Sequence, residues 1–493
     1  TPCTPAWLKR ARGYLAQMRR FGAVVLAGAT ACATGTVATT TDSTSSVAPP
    51  TSSTIAEDNT PGRSTTTTEA GPPPTFPLPP AFPDGPLDPT TEEALESLLG
   101  NIFTSEFDAS NLVDVVDGGD VRAAWLIADL LRFYQGGSDR DELLRAYAQL
   151  TGIDYIPNRI DFTWAFDNLI AWDMPAWDGY ADLKRQIYTP IEPLWEIFFD
   201  KDHGVDWRLV TWGGVLADDR PLGDNGPCNC IPSLDNPATT DAAGGNWYAD
   251  DRVIFGVVVN GEALALPKHQ MEVHEMVNTT LGGRDLGIPY CTLCGSAQAY
   301  VTDNIKGTDR IVLRTSGLLS RSNKVMYDLT TGSMLDTFTG KALTGPLGEA
   351  DVVLEQVSVV GSTWGDWKTA HPDTRILAED GGIGREYRDD PLGNRDAAGP
   401  IFPIGDVDPR LPIMESVVGV ISPDGTPIAF PVDETRDKLA SGGQIEFEGV
   451  VVRLTDGLRV FTPDGTELTT HQAFWFAWSQ FHTETLVWTL AGS

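Results

Sequence analysis

Ile254-Phe255-Gly256-Val257-Val258-Val259-Asn260-Gly261 is the stretch on which the fold turns. β-Branched and aromatic residues fill the run. Asn-Gly follows it, the pair that best accepts the positive φ angles of a tight hairpin. The chain then runs on to Pro267, and the pattern returns later as Val417-Val418-Gly419-Val420-Ile421, Asp424-Gly425 and Pro431. A second echo keeps stricter spacing: Trp364, Trp367, His371 and Thr374 recur at one constant offset as Trp475, Trp478, His482 and Thr485. Each set places two indoles at i and i+3, on one face of a short helix. The indoles are expected to pack on a sheet and the histidines to finish the helices. Together the echoes point to an internally duplicated β unit.

Outward from this stretch, short β-branched runs alternate with Gly, Asp, Asn and Pro turns from about Trp207 onward, as in 311–314, 352–360 and 450–454. Residues 206–490 therefore read as one large β-rich domain. Upstream, 89–205 reads as helical. Thr90 and Glu93 make a capping-box pair before Leu95, Leu98 and Leu99. Asp120 can cap a second helix carrying Val121, Ala124, Trp125, Ala128 and Leu131. Ser138 and Asp141 open a third that Gly152 stops, and a fourth holds Phe162, Phe166, Leu169 and Ile170. Gly119-Asp120-Val121-Arg122 resembles the start of a HEAT-type repeat, and Trp164, Trp172, Trp177 and Trp195 read as core. The fold class expected is α+β, a helical, HEAT-like region followed by a duplicated β-rich domain.

The first 88 residues read differently. Met18-Arg19-Arg20, a small apolar run over 21–29 and Ala29-Thr30-Ala31 match a secretory signal segment with its cleavage site, so 1–31 is expected to be removed. Cys32 then stands where bacterial lipoproteins carry their lipid, with Ala29 in the usual place of Leu. Residues 32–88 are rich in Ser, Thr and Pro, too poor in apolar surface to offset their ordering entropy, and read as a disordered tether. The expected location is outside the cytoplasm, on the cell surface or the periplasmic side, held to the membrane only by lipid.

Thirty-five basic residues against 68 acidic ones give a net charge of −33. Nucleic-acid binding needs a basic footprint, so that class of partner is excluded. No phosphate-cradling loop is present, which leaves no nucleotide cofactor. Ser316-Gly317-Leu318-Leu319 lacks the frame of a hydrolase elbow. The sequence names no protein or small-molecule partner.

Chemistry concentrates on cysteine. Cys3 and Cys32 fall in the leader, leaving Cys228, Cys230, Cys291 and Cys294. Cys291-x-x-Cys294-Gly295 fits three chemistries: a metal knuckle, a redox dithiol and an inert disulfide. His274 lies upstream in His274-Glu275-x-x-Asn278, where Asn278 breaks the H-E-x-x-H pattern of zinc proteases. His274, Cys291 and Cys294 would give a soft ligand set for copper or zinc. A helix opening near Glu272 and a return strand over 285–290 would bring the sulfurs back past the imidazole. Glu275, Asn278, Ser296, Met326 and Asp328 are candidates to support that site, and Met271, Met276 or Met326 could add a thioether. Cys228 and Cys230 could join as ligands, or form disulfides that tie the long loop before Trp247 to the sheet. Metal binding, thiol redox work and a non-catalytic scaffold with structural disulfides all remain open.

Several motifs in order resemble one family: Thr211-Trp212-Gly213-Gly214-Val215, Ser233–Pro237, Val257–Glu262, His274–Asn278, Tyr290–Ala297, Ser316–Leu319, Val325–Asp328 and Phe476-Ala477-Trp478 with Phe481-His482. Over about 206–490 the chain is similar to the bacterial domain of unknown function 3179 family. The resemblance implies an extracytoplasmic, often lipoprotein, setting and supplies no activity. Thr292 replaces the family's usual Pro, and Cys228-Asn229-Cys230 is an addition to its pattern.

Overall fold

The computed structural model describes residues 75–101, 110–157, 159–199, 204–393 and 395–490. The signal segment, Cys32 and most of the expected tether lie outside these residues. No helix among the described residues is long and apolar enough to cross a membrane.

The molecule combines helices with small sheets. Helices Pro89–Asn101, Ser110–Gly118, Ala124–Leu131, Gly137–Thr151, Asp161–Ala171 and Tyr180–Tyr188 form the N-terminal part. The signals at Asp120 and Gly152 act as expected: Asp120 accepts the Arg122 amide, and Gly152 ends its helix at φ 74°. The first cap differs. Asp88, not Thr90, accepts the Thr90 and Thr91 amides, at 3.0 and 3.3 Å. Every residue of Ala124–Leu131 is buried, and three further helices contact it. The helices thus gather round one central helix, a packing that does not establish a HEAT-type repeat. The one carboxylate of that helix, Asp129, meets the Lys184 ammonium at 2.8 Å and the hydroxyls of Tyr180 and Tyr188, so the buried charge is fully partnered.

Residues 75–88, placed in the tether by composition, run as coil against these helices. Trp172 donates to Pro77 O at 2.7 Å, Arg122 to Gly85 O and Pro86 O, and Leu87 is buried. Local composition failed here because the tertiary surface supplies the partners.

The β-rich part is a propeller-like ring of small sheets. One four-stranded sheet pairs Val210–Trp212 with Leu313–Ser320, Asn323–Asp328 and Met334–Asp336 in that order. It shares one apolar core with the helices: Trp195, Trp207, Leu318, Val325, Tyr327 and Met334 belong to the same buried cluster as Trp125 and Trp164. A second sheet runs from Met276–Leu281 through the Gly282-Gly283 turn into Arg284–Cys291.

Two further sheets are built alike. In one, the hairpin Val253–Val259/Glu262–Pro267 is flanked by antiparallel Val360–Thr363 and parallel Arg375–Leu377. In the other, Ser416–Ile421/Pro427–Pro431 is flanked by antiparallel Thr470–Phe474 and parallel Leu486–Val487. Helices Trp364–Ala370 and Trp475–Phe481 cross from the third to the fourth strand of each. Trp367 Nε1 donates to Thr374 Oγ1 and Trp478 Nε1 to Thr485 Oγ1, both at 2.9 Å. The facing strand residue is glycine in both, Gly256 and Gly419, since the indoles occupy the space of a Cβ. His371 and His482 close the two helices, as expected.

Candidate functional site

The chain around His274 folds otherwise than its spacing suggests. Its helix is Lys268–His274, ending where the expected helix would begin. Glu275 stops it with φ 52°, a left-handed conformation that disfavours a residue with a Cβ. Asn278 therefore stands on the strand Met276–Leu281, not on a helix with His274. The strand Arg284–Cys291 does deliver Cys291 at its end, and Ser296–Ala297 and Ala299–Val301 return as strands.

His274 is buried with both ring nitrogens engaged: Nδ1 meets Pro232 O and Nε2 meets Tyr387 Oη, each at 2.7 Å. A carbonyl only accepts, so Nδ1 carries the proton and Nε2 accepts from the tyrosine. Burial pushes the imidazole down to about 3, which keeps it neutral.

Glu275 faces the other cysteine loop. Its Oε1 accepts from Thr292 Oγ1 at 2.6 Å, and its carbonyl accepts from Tyr290 N and from Lys324 Nζ. The Lys324 ammonium also lies 3.5 Å from Glu275 Oε2; burial brings this lysine down to about 8 although Glu275 opposes the shift. Arg395 donates to Thr292 Oγ1 and to Thr292 O.

The cysteines pair within their own motifs. Cys291 is bonded to Cys294, and Cys228 to Cys230. Neither bond ties the loop before Trp247 to the sheet, because the motif partners are nearest in the chain. The Cys291–Cys294 pair is buried in one apolar cluster with Trp475 and Trp478, and Cys294 Sγ lies 3.3 Å from Ser296 Oγ. A Cβ at Gly295 (φ 59°) would lie 2.8 Å from the Phe474 ring. Cys228 is only half-buried.

A charged network stands beside the Cys228–Cys230 pair. Asp218 is fully buried and accepts from Arg220 at 2.6 and 2.9 Å and from the Ser233 amide at 2.8 Å. Burial works to raise its carboxyl, but Arg220, the Ser233 amide and Arg314 outweigh it and leave it below the usual range. Arg314 in turn holds Asp235 through both oxygens, at 2.7 and 2.6 Å. Asn278 clamps this pair, donating to Asp235 Oδ1 and Leu313 O and accepting from the Leu313 amide.

The expected His274, Cys291 and Cys294 are thus not gathered as three free ligands; the imidazole and the two sulfurs each have other partners. Asp218, Cys228 and Cys230 do form a group with ligand spacing, their donor atoms within 4.8 Å of one another. Among the supporting candidates, Asp328 caps a turn through the amides of Val312, Thr330 and Thr331, while Met271, Met276 and Met326 are core. Sequence reasoning missed Lys324, Asp218, Arg220, Arg314, Tyr387 and Arg395. The signal for two of them was a basic residue inside a strand whose other positions are apolar or buried, Leu313–Ser320 and Asn323–Asp328.

What the fold and site define is a helix-flanked, β-rich domain with two paired-cysteine loops around a buried ionic network. Residues 228–462 match the family described as protein of unknown function (DUF3179), and this domain belongs to it. The matched segment stops before the strand Thr470–Phe474 and helix Trp475–Phe481 of the second like-built sheet. No curated protein and no solved structure matches the chain.

Proposed function

We propose that the domain is an extracytoplasmic thiol–disulfide redox module acting through Cys228 and Cys230. The observation that carries this reading is the pairing itself: one residue lies between the bonded cysteines in one pair and two in the other. Chain-entropy stabilisation grows with the length of the closed loop, so such pairs brace little. Cys228 is the half-buried member of this pair and Cys230 the buried one, so in this reading a partner approaches Cys228. A thiolate of a dithiol substrate attacks Cys228 Sγ, the Cys228–Cys230 bond breaks, and Cys230 leaves as thiolate. The second substrate thiolate then displaces Cys228, so two electrons pass to the protein and the substrate becomes a disulfide. Arg220 is bonded to Asp218, whose carboxylate lies within 4.8 Å of both sulfurs, and is the cation this reading assigns to the developing thiolate.

Equilibration in graded dithiothreitol, followed by alkylation and mass spectrometry, tests the idea. Cys228 and Cys230 are expected to reduce reversibly while Cys291–Cys294 stays bonded. Simultaneous reduction of both pairs, only on unfolding, would remove it.

The metal reading rests on the Asp218, Cys228 and Cys230 group. As they stand these residues do not fit a cation. The sulfurs are bonded to each other and both Asp218 oxygens accept from Arg220. Copper or zinc would require the reduced form and a displaced Arg220, and metal analysis of reduced, untagged protein distinguishes that case.

The same reading places the mature chain outside the cytoplasm, cleaved after Ala31 and lipidated on Cys32; mass spectrometry of the mature N-terminus checks it. The two like-built sheets are, in this view, copies of one duplicated unit, supported by their common strand order and paired Trp–Thr bonds.

A further inference from the structure

Arg132 follows the central helix Ala124–Leu131 and is only 4% exposed. Its side chain makes one hydrogen bond among the described residues, from Nε to Trp212 O at 2.8 Å, and no carboxylate there lies in ion-pair range of it. Rings surround the guanidinium instead. Its Cζ lies 4.7 Å from the Trp212 centroid, 4.8 Å from Phe162 and 5.8 Å from Phe402. Asp161, the acid whose field reaches it, is already bonded to Arg140 and to the Phe162 amide. Burial brings the guanidinium down to about 10, so it is still charged at neutral pH.

The rings do not replace a counter-ion. A desolvated cation–π contact is worth about 2 kcal/mol, whereas taking an ion out of water costs several kcal/mol. Tying the helix to Trp212 O asks for a single N–H donor, which a neutral side chain supplies. A guanidinium has five. The other four sit on Nη1 and Nη2 and have no acceptor among the described residues.

The chain leaves one side of this group uncovered. Gly214 stands at φ +91°, and a Cβ there would press on Arg132 Nη2 from 3.1 Å, with no other atom beyond its chain neighbours within 4 Å. The turn is pinned on either side of Gly214: Gly213 N donates to Gly317 O at 2.8 Å, and Trp212 Nε1 to Val215 O at 2.7 Å. Gly213, Gly214 and Val215 are half-buried, as are Phe133 and Trp212, whose rings stack with centroids 5.5 Å apart.

We infer that Arg132 binds a small organic carboxylate, bidentate through Nη1 and Nη2 at the opening beside Gly214. Charge and shape both select this class. A monoanion balances the single cation, and two coplanar oxygens match the planar fork. A phosphate would bring a second charge and further oxygens, and the aromatic surround supplies no donors for them. A neutral amide presents one acceptor oxygen and loses the charge-assisted bonds.

Isothermal titration of the full chain with sodium benzoate, benzamide and sodium phosphate at low ionic strength tests the inference. Saturable binding of benzoate is expected, at least about tenfold tighter than benzamide. Arg132→Lys keeps the charge and a donor for Trp212 O but not the fork, and should weaken benzoate about tenfold. Arg132→Met should abolish binding in a protein that circular dichroism shows to be folded; if it does not fold, the lysine variant and the benzamide comparison decide. Benzamide equal to benzoate, phosphate tighter than benzoate, an affinity unchanged by Arg132→Lys, or no saturable binding of benzoate would each overturn the proposal.

Discussion

His274 and Glu275 are neighbours in the chain whose side chains reach the two cysteine loops separately. The first meets Pro232 O, two residues past Cys230, and the second meets Thr292 between Cys291 and Cys294. The left-handed backbone at Glu275 turns the chain between them. Anything that moves this dipeptide therefore moves both loops.

Lys324 is the cation that holds it. Lys324→Met leaves the buried Glu275 carboxylate without its ammonium and the Glu275 carbonyl with only the Tyr290 amide as donor. The loss expected is about 3–5 kcal/mol, the range for breaking a buried ion pair from one side. The double change Lys324→Met with Glu275→Gln removes the uncompensated charge and should recover a large part of it. Urea unfolding of the wild type, the two single variants and the double variant measures this; additive losses would show that the two groups do not interact.

Gly256 and Gly419 offer a matched test of the two like-built sheets. A Cβ would stand 2.2 Å from the Trp367 ring at Gly256 and 2.0 Å from the Trp478 ring at Gly419. Neither indole can withdraw, since each is buried and bonded to a threonine. Gly256→Ala and Gly419→Ala should each destabilise by about 1–3 kcal/mol, the usual cost of overpacking. Differential scanning calorimetry should show closely similar losses, whereas a neutral effect at either site would mean that the ring moves freely.

Acid should destabilise the protein through its histidines. Burial pushes His274 and His471 down to about 3, and His269 and His482 to about 4. Below the unfolded value near 6.5 the unfolded chain takes up protons that these folded imidazoles refuse. Their stability contribution is thus full above about pH 6.5 and is lost as pH falls toward 3–4. Asp167 acts oppositely: burial raises its carboxyl to about 6, despite the amides of Ile404 and Gly405, so its contribution improves as pH falls through that value. Burial also raises Asp129, Glu192, Glu272, Asp336 and Glu415, which act in the same sense as Asp167, so the histidine contribution is read by difference between variants rather than from the net slope. His471→Leu should flatten the slope by about one proton, or about 1.4 kcal/mol per pH unit; an unchanged slope would mean that His471 is protonated in the fold.

The hairpins were legible because Asn260-Gly261 is a local signal, and the histidines at the helix ends because the Trp spacing is local too. The helix end at His274 was not. Its stop is a glutamate in a left-handed conformation, and no glycine marks it. The strand that follows, Met276–Leu281, hides its alternation because it is buried on nearly every position. Cysteine pairing was open because spacing alone fits a knuckle, a dithiol and a disulfide equally. Tyr387, on irregular chain, and Arg395, opening the short 3-10 helix Arg395–Ala398, reach His274 and Thr292 from more than a hundred residues away, and no periodicity announces such contacts.

The boundary at residue 205, drawn where helical patterning gives way to strands, crosses a continuous core. Trp195 donates to Ser316 O at 2.8 Å, and Phe198 stacks at a tilt against Tyr327 with centroids 5.6 Å apart. Leu318, Val325, Tyr327 and Met334 all belong to the cluster built mainly by the helices. Arg132 adds a bond to Trp212 O at 2.8 Å, on the edge strand of the same sheet. Cutting the chain at 205 would expose this apolar face and leave the Ser316 carbonyl without its donor. A fragment of residues 206–490 is therefore expected to aggregate or to populate a loosely packed state with strong dye binding, while the full chain unfolds with its helices and first sheet in one transition. Near-ultraviolet circular dichroism of the two proteins decides it. A fragment with sharp tertiary signals and cooperative melting would show that the β-rich part stands alone and that the shared core is only a docking surface.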